Sequence, residues 1–327
     1  MKQPLLPFGR RKIEARVKQA FQLLRSDMFV DACVQQEAIL VDKEKTSDYL
    51  CLVSRKNIYD MAVFDPELAA RMKMPKELLE RAPELHLAIH AGIGQVHAAL
   101  FDFNQTACLW HVHADLPPGI SAYAFIYGRN WIEGVFRKCT ITFDCDTYAL
   151  VPQSIFDPAA CSDYLSMQHG VVSSTIGSVE LPEAEAVICF EWPDWHDSLM
   201  RVIPNARVQP QSALIVRLAL ALAHSGENTF LIATSSDFVT IAGVKNKNLM
   251  LLATQAARTP EDVLYHLSNA AMRLQIDLEN CRVQLMEAIE NSEILELLRR
   301  YVKEIQPIEA PAKIESPAIT QLHYLCA

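Results

Sequence analysis

The sequence predicts an α/β protein of two lobes, each with the element order strand-strand-strand-helix-strand-helix-strand, preceded by an N-terminal α+β extension. Two observations lead to this fold class. Apolar runs with strand-type alternation occur in two groups of three, which begin near residue 85 and near residue 228. After each group, segments with helical periodicity alternate with short apolar runs, as in a sheet with helical crossovers. The chain of 327 residues is long enough for two such lobes.

The extension is expected to span residues 1–82. Apolar positions spaced three and four apart predict an amphipathic helix over residues 9–25. Strand-like runs at 33–41 and 49–64 flank a polar loop and suit a hairpin. Asp65-Pro66 supplies an N-cap and a first-turn proline for a short helix at 67–72, and a second short helix follows at 75–81.

The first lobe is expected to span residues 83–209 and to start with the segment LHLAIHAGIGQVHAALFD at 85–102. This segment reads as two strands hinged on Gly92 and Gly94, and residues 85–114 as a three-stranded meander. A continuous apolar run at 186–192 is typical of a strand buried on both faces. The other predicted elements are a helix at 120–136, a strand at 139–143, an extended piece at 148–152, a helix from Asp157-Pro158 to about 169, and a helix at 195–203.

The second lobe is expected to span residues 210–309, with a short tail at 310–327. Thr259, Pro260 and the acidic pair that follows them predict the start of a helix that runs to about residue 275. The other predicted elements are a buried helix at 211–225, strands at 229–234, 238–244 and 249–254, a strand at 282–286, a helix from 291 or 292 to 302, and a strand at 304–308.

Charge and cysteine content limit the classes of function. The net charge of -9 and the pI near 5.6 argue against nucleic-acid binding, which needs clustered Lys and Arg. Nine cysteines without a C-x-x-C pair favour a reducing compartment. The N-terminus has no apolar segment of the signal-peptide type, and the most apolar run, 213–223, is too short to span a bilayer. The sequence therefore predicts a cytoplasmic protein without a transmembrane segment.

Three segments carry a resemblance to a known family. They are CTITFDCDTYALVPQSIFDPAACSDYLSMQHG (139–170), AVICFEWPDWHDSLMRVIPNARV (186–208) and TPEDVLYHLSNAAMRLQIDLENCRVQLM (259–286). Over residues 84–309 the chain resembles uncharacterised proteins of Bacteroides-type bacteria with the actin-like ATPase fold. These are distant relatives of the pilus-assembly and secretion platform proteins PilM and GspL. The resemblance implies two ribonuclease-H-like βββαβαβ lobes.

The resemblance also implies where a nucleotide would bind. In active members of that superfamily, a hairpin at the start of each lobe carries glycines that approach phosphate and an acid that organises Mg²⁺. Here His90 occupies the place of the first acid and Ala233 that of the second. The glycine pair expected near adenosine is also absent, since strand 282–286 is followed by Glu287, Ala288 and Ile289. If a nucleotide binds, the residues expected at its phosphates are Gly92, Gly94, Thr234, Ser235 and Ser236.

Histidines near the first meander offer a different site. Strand alternation places His86 with His90 on one face, and His111 with His113. If the strands pair in register, these four imidazoles could bind Zn²⁺. The alternative is that they form hydrogen bonds to the backbone or to water. Trp192 and its neighbours could likewise anchor a partner or close the edge of the core.

The sequence therefore favours a non-catalytic protein, a pseudo-ATPase that acts as a scaffold or protein-interaction module with an unidentified protein partner or a second copy of itself. No cofactor is expected. The alternatives left open are a protein that binds or hydrolyses ATP with Mg²⁺, and a zinc protein that uses the histidines.

Overall fold

A computed structural model describes residues 73–102, 108–116, 121–127, 129–170, 172, 175–235, 237–286 and 293–308. The predicted elements at 9–25, 33–41, 49–64 and 67–72 and the tail at 310–327 lie outside these residues. The strands are β1 (Leu85–Gly92), β2 (Gln95–Asp102), β3 (Cys108–Asp115), β4 (Lys138–Phe143), β5 (Tyr148–Pro152), β6 (Ile176–Leu181), β7 (Ala186–Glu191), β8 (Arg207–Pro210), β9 (Asn228–Thr234), β10 (Phe238–Lys245), β11 (Asn248–Ala256), β12 (Arg282–Met286) and β13 (Glu304–Pro307). The helices are α1 (Lys76–Glu80), α2 (Ala122–Tyr127), α3 (Cys161–His169), α4 (His196–Val202), α5 (Gln211–Leu222), α6 (Pro260–Leu274) and α7 (Glu293–Leu298).

Two five-stranded sheets share one topology. The first has the order β3-β2-β1-β4-β8 and the second the order β11-β10-β9-β12-β13. In each sheet the first three strands are antiparallel neighbours, and the last two run parallel to the first strand of the group. The predicted repeat of βββαβαβ units is therefore confirmed at the level of sheet order.

A third sheet interrupts the first repeat. Strands β5, β7 and β6 form an antiparallel sheet with β7 in the centre, inserted along the chain between β4 and β8. The prediction that 186–192 is a strand buried on both faces is confirmed, since Ile188 and Phe190 pack into the main core and Cys189 into a second cluster. Its neighbours are antiparallel, however, and the last strand of the first sheet is β8.

Some predicted boundaries were wrong. The expected helix at 120–136 is a single turn and a half, α2, followed by a 3-10 turn at Asn130–Glu133. The region between 170 and 186, for which no strand was predicted, contains β6. The last helix ends at Leu298 rather than at residue 302.

Helix α5 lies between the two large sheets, and this position explains its largely apolar sequence, which Arg217 interrupts. Ala213 and Val216 belong to the core that contains β1 and β4, whereas Leu214, Ile215 and Leu218 pack with β9 and β10. Apolar side chains on more than one face of a helix are typical of a buried position between two packed layers. Among the described residues, no helix is long and apolar enough to cross a membrane.

Candidate functional site

The hairpin between β1 and β2 turns on two residues, Ile93 and Gly94. Gly94 has φ +73°, a left-handed conformation that glycine adopts without steric cost. Space is limited at Gly92, because a Cβ there would lie 2.9 Å from Gln95 Cγ, 3.1 Å from His90 Nε2 and 3.3 Å from Asp144 Oδ2. The hairpin geometry therefore favours glycine at both positions that were predicted to hinge it.

Asp144 is the carboxylate of this site, and sequence reasoning missed it. It follows β4, which runs parallel to β1, so the carboxyl ends of both strands meet at one edge of the sheet. The backbone N–H of Ile93 donates to Asp144 Oδ2 at 3.0 Å. An acid placed directly after a buried parallel strand is the signal that could have identified it, since ligand sites of open α/β sheets lie at that edge.

Asp144 is held as a buried anion. Its side chain is 10% exposed, and its Oδ1 lies 3.4 Å from His90 Nε2. Burial acts to raise the pKa of this carboxyl, but attraction and hydrogen bonding from His90, the hydrogen bond from the Ile93 N–H and attraction from His97 together hold the pKa below its usual value. The carboxylate is therefore ionised at neutral pH.

His90 is fixed in position on β1. It is buried, and its Nδ1 lies 3.0 Å from Thr142 Oγ1 on β4. The residue that stands in place of the expected acid thus contacts a carboxylate from the neighbouring strand, and the acidic group at this edge lies at the end of β4.

A cavity of about 310 Å³ opens beside the hairpin. Its walls combine the hairpin backbone at 91–94 with Asp144 and with the apolar side chains of Leu116, Phe143, Pro193 and Trp195. None of the described residues that line it is Lys or Arg. Ser121 is the other polar residue of the lining, so the cavity presents one negative charge in largely apolar surroundings.

In the second sheet, polar groups in the turn between β9 and β10 already form hydrogen bonds within the protein. The N–H and hydroxyl of Ser235 both donate to Phe238 O, at 2.9 and 3.3 Å. Asp237 accepts from Arg258 Nε at 3.1 Å, so its carboxylate forms a surface ion pair. Thr234 ends β9, and Ser236 lies outside the described residues, as do the residues 287–289 after β12.

The register of the first sheet brings three histidines into one row. His90 pairs with His97, and His97 with His113. The rings of His97 and His113 are stacked, with centroids 4.2 Å apart and an interplanar angle of 4°. His97 is buried and His113 half-exposed, so the row runs from the edge of the cavity towards solvent.

The other two predicted zinc ligands lie elsewhere on the same face. His86 bonds Thr140 Oγ1 at 2.8 Å, and His111 is exposed opposite Ala99. Among the described residues, no group of three or more His, Cys, Asp or Glu side chains is placed to share a metal ion. The zinc site at His86, His90, His111 and His113 stays a prediction, and the register separates its members along the strands.

The aromatic residues that follow β7 pack at the edge of the core, and one of them also lines the cavity. Trp192 stacks on His196 at 3.9 Å and contacts Phe190 edge-on at 4.6 Å. Trp195 packs edge-on against Phe143 at 5.9 Å and forms part of the cavity wall. Of the two interpretations left open by the sequence, packing at the edge of the core describes both tryptophans.

Comparison with known families decides the classification. Residues 86–305, which are 220 of the 327 residues, match the family described as "Protein of unknown function (DUF3822)". The chain belongs to the DUF3822 family. No curated protein matches it.

Solved structures agree with the sheet topology. A Bacteroides thetaiotaomicron protein "with actin-like ATPase fold and unknown function" is similar to this DUF3822 protein, with a TM-score of 0.68 and 14% identity, over 78% of this chain and 100% of that one. The actin-like ATPase fold and the resemblance to Bacteroides-type proteins are thereby confirmed.

Two further structures are more distantly similar. The cytoplasmic domain of EpsL of Vibrio cholerae, an inner-membrane component of the type II secretion system, has a TM-score of 0.44 and 10% identity, over 74% of this chain and 94% of that one. A PilM–PilN type IV pilus biogenesis complex has a TM-score of 0.45 and 10% identity, over 73% of this chain and 97% of that one.

Proposed function

We propose that this DUF3822 protein is a non-catalytic, protein-binding member of the actin-like fold. The observation that carries the first half of the proposal is the carboxylate of Asp144 bonded to the hairpin N–H of Ile93. In phosphate-binding loops, backbone N–H groups of this kind face the anion. In this protein the Ile93 N–H already donates to a negatively charged side chain, that of Asp144.

Electrostatics at the hairpin supports the same conclusion. A triphosphate placed in the cavity would meet Asp144 without a Lys or Arg from the described lining residues to neutralise it. Phosphoryl transfer depends on positioned cations that stabilise charge on the transferred group. In the second hairpin, Ser235 is bonded within its own turn and Asp237 to Arg258. The geometry therefore favours loss of ATP hydrolysis.

The second half of the proposal rests on the edge of the second sheet. Strand β11 has a single neighbouring strand, β10, among the described residues, and it exposes Met250 to 52%. Next to it, a groove of about 210 Å³ runs between β11 and α6, lined by Leu251, Tyr265 and Arg273 among others. An apolar edge strand with one unpaired side is a template for a partner's extended segment.

Nucleotide binding is tested by thermal unfolding of the full chain with and without millimolar Mg-ATP. We expect identical curves and no phosphate release. A ligand at one hundred times its dissociation constant adds about 2.7 kcal/mol of stability. A rise in melting temperature of that order, or ATP turnover above the buffer rate, would overturn the non-catalytic assignment.

Protein binding is tested by affinity capture from lysate with two matched variants. Met250→Lys places a charge on the exposed face of β11, whereas Met167→Lys changes an 86% exposed methionine on α3. We expect Met250→Lys to lose a partner that the native chain and Met167→Lys both retain. Light scattering detects whether that partner is a second copy of the chain. Equal capture by the two variants would exclude β11 as the binding edge.

A further inference from the structure

Two cysteine side chains meet beneath the inserted sheet. Cys161 is the first residue of α3, and Cys189 lies in β7, the central strand of that sheet. The Cys189 thiol donates to Cys161 Sγ, and the two sulfur atoms are 3.0 Å apart. Both residues are free thiols in one buried cluster. Neither takes part in the hairpin site or in the β11 edge.

Strand alternation and helix packing bring the two sulfurs together. The neighbours of Cys189 in β7 face the main core, so Cys189 points to the opposite face of the strand, where α3 packs. Leu165, one turn along α3 from Cys161, is fully buried in the same cluster. At the other end of the helix, His169 Nε2 lies 2.9 Å from the carbonyl oxygen of Tyr148 in β5. The helix is therefore held against the sheet along its length, which keeps two thiols 28 positions apart in contact.

The two thiols differ in access to solvent. Cys161 is 9% exposed, whereas Cys189 has no exposed surface. Burial, together with the neighbouring Cys161 sulfur, raises the pKa of Cys189 to about 12, so this thiol keeps its proton at neutral pH. A small oxidant from solvent therefore meets Cys161 first, and Cys189 is positioned to react with the oxidised sulfur.

We propose that Cys161 and Cys189 form a reversible redox pair, in which a hydroperoxide oxidises Cys161 and Cys189 then closes a disulfide between α3 and β7. In the first step the Cys161 sulfur attacks the peroxide, the O–O bond breaks, and a sulfenic acid and an alcohol or water form. In the second step the Cys189 sulfur attacks the sulfenic sulfur, the S–S bond forms, and the S–O bond breaks. The departing hydroxide leaves as water with the Cys189 proton, so the two thiols together give two electrons to the peroxide.

The surroundings of the pair suit a reversible bond. The sulfurs must approach by about 1 Å to reach the length of a disulfide, and a dithiol reductant reverses the bond by exchange. Disulfides in reducing compartments are usually transient and redox-sensing. Among the other described cysteines, Cys108, Cys145 and Cys281 donate to backbone carbonyls instead. The proposal does not depend on a protein partner at β11.

The test oxidises the full native chain with hydrogen peroxide and identifies linked cysteines by mass spectrometry after differential alkylation. We expect a Cys161–Cys189 cross-link as the main product, reversed by dithiothreitol. Its share of all cross-links should exceed by about tenfold or more its share in chain oxidised in urea, where nine cysteines compete without a fold to position them. An equal share in both conditions, or two thiols that remain open to alkylation after oxidation, would overturn the proposal.

Substitutions separate the roles of the two sulfurs. Cys189→Ser removes the second thiol, so oxidised Cys161 should persist as a sulfenic acid and react with dimedone several-fold more than in the native chain. Cys281→Ser changes a buried thiol that bonds to the Leu278 carbonyl and is the matched control, which should cross-link as the native chain does. Equal dimedone labelling of Cys161 in the native chain and in Cys189→Ser would contradict the role of Cys189. If Cys189→Ser does not fold, the cross-link in the native chain decides alone.

Discussion

His86 and His97 are buried in the first sheet, and the pKa of each is lowered. Burial, with a smaller contribution from Lys138, lowers the pKa of His86 from 6.5 to about 4. Burial and repulsion from His90 and His113 lower the pKa of His97 from 6.5 to about 3, against attraction from Asp144. As the pH falls, both histidines are therefore protonated in the unfolded chain before they are protonated in the folded protein.

Stability should consequently fall on acidification. Below pH 6.5 the unfolded chain binds protons that the folded chain excludes until about pH 4 at His86 and about pH 3 at His97. Stability from these groups is complete above pH 6.5 and decreases as the pH falls through that window. Between about pH 6.5 and about pH 5 the loss should be about 2 kcal/mol for each group. Urea unfolding at both pH values measures it.

The variant His97→Asn should lose about half of this pH dependence, because one of the two groups is gone. His224→Gln, which changes an exposed histidine, should leave the dependence as it is in the native chain. A free energy of unfolding that is flat from pH 7 to 5 would show that His86 and His97 are not neutral in the folded state.

The turn between β10 and β11 stores backbone strain at one residue. Asn246 and Lys247 both have positive φ, 53° and 65°. This combination is that of a type I′ hairpin turn, in which Asn is favoured first and Gly second. Lys247→Gly should therefore stabilise the protein by about 1 kcal/mol. Lys245→Gly, in β10 itself, should destabilise it, and a loss of stability in both variants would contradict the argument.

Residue by residue, the sequence defined half of the candidate site. Gly92 and Gly94 were identified because a tight turn between two apolar strands has a recognisable local pattern. Asp144 was missed because its role depends on β4 lying beside β1, a pairing of segments about fifty residues apart. The zinc prediction used strand alternation, which places His86 with His90 and His111 with His113 on one face; the pairing of the strands, which aligns His90 with His97 and His97 with His113, could not be read from the sequence.

At the scale of elements, helix α6 shows how far a local signal extends. The predicted N-cap is present: Thr259 Oγ1 accepts from the Asp262 N–H at 3.2 Å, and Asp262 Oδ2 accepts from the Thr259 N–H at 3.0 Å. Pro260 stands at the first helical position, as predicted. Capping is encoded within four residues, so the sequence alone was sufficient.

Removing this cap should weaken the second sheet's helix layer. Thr259→Ala loses the bond to the Asp262 N–H and should cost about 1 kcal/mol in the free energy of unfolding. Thr259→Ser keeps a hydroxyl and should remain near the native value. An alanine variant as stable as the serine variant would indicate that the hydrogen bond from the Thr259 N–H to Asp262 Oδ2 is sufficient for the cap.

Strands β6 and β8 were missed for a different reason. Strand β8 has four residues and ends in Pro210, and β6 exposes much of its length, so neither shows a strong apolar alternation. Gly177 in β6 also lies where a Cβ would be 2.5 Å from Trp192 Nε1, a contact that only tertiary structure defines. Such elements are stabilised by their neighbours rather than by their own propensity.

At the scale of the whole molecule, the order of the predicted elements showed the repeat, but it did not show how the strands of each repeat are connected. The two five-stranded sheets follow one topology, but the first contains an inserted antiparallel sheet that occupies the interval between β4 and β8. Tyr148 in this inserted sheet reaches Thr254 of β11, with Oη and Oγ1 3.1 Å apart. Contacts of this kind join parts of the chain about a hundred residues apart and leave no local pattern.

The shared helix α5 should make the two large sheets unfold together. Leu218 is 1% exposed and packs with β9 and β10, while Val216 of the same helix packs with the first sheet. Leu218→Ala should cost about 2–5 kcal/mol and should speed amide exchange in β1 and β4 as well as in β9 and β10, because one helix forms a wall of both cores. The control is Leu165→Ala, a fully buried leucine in the cluster beneath the inserted sheet, where faster exchange should stay within β5, β6 and β7. Faster exchange in β9 and β10 alone after Leu218→Ala would mean that each sheet unfolds independently of the other.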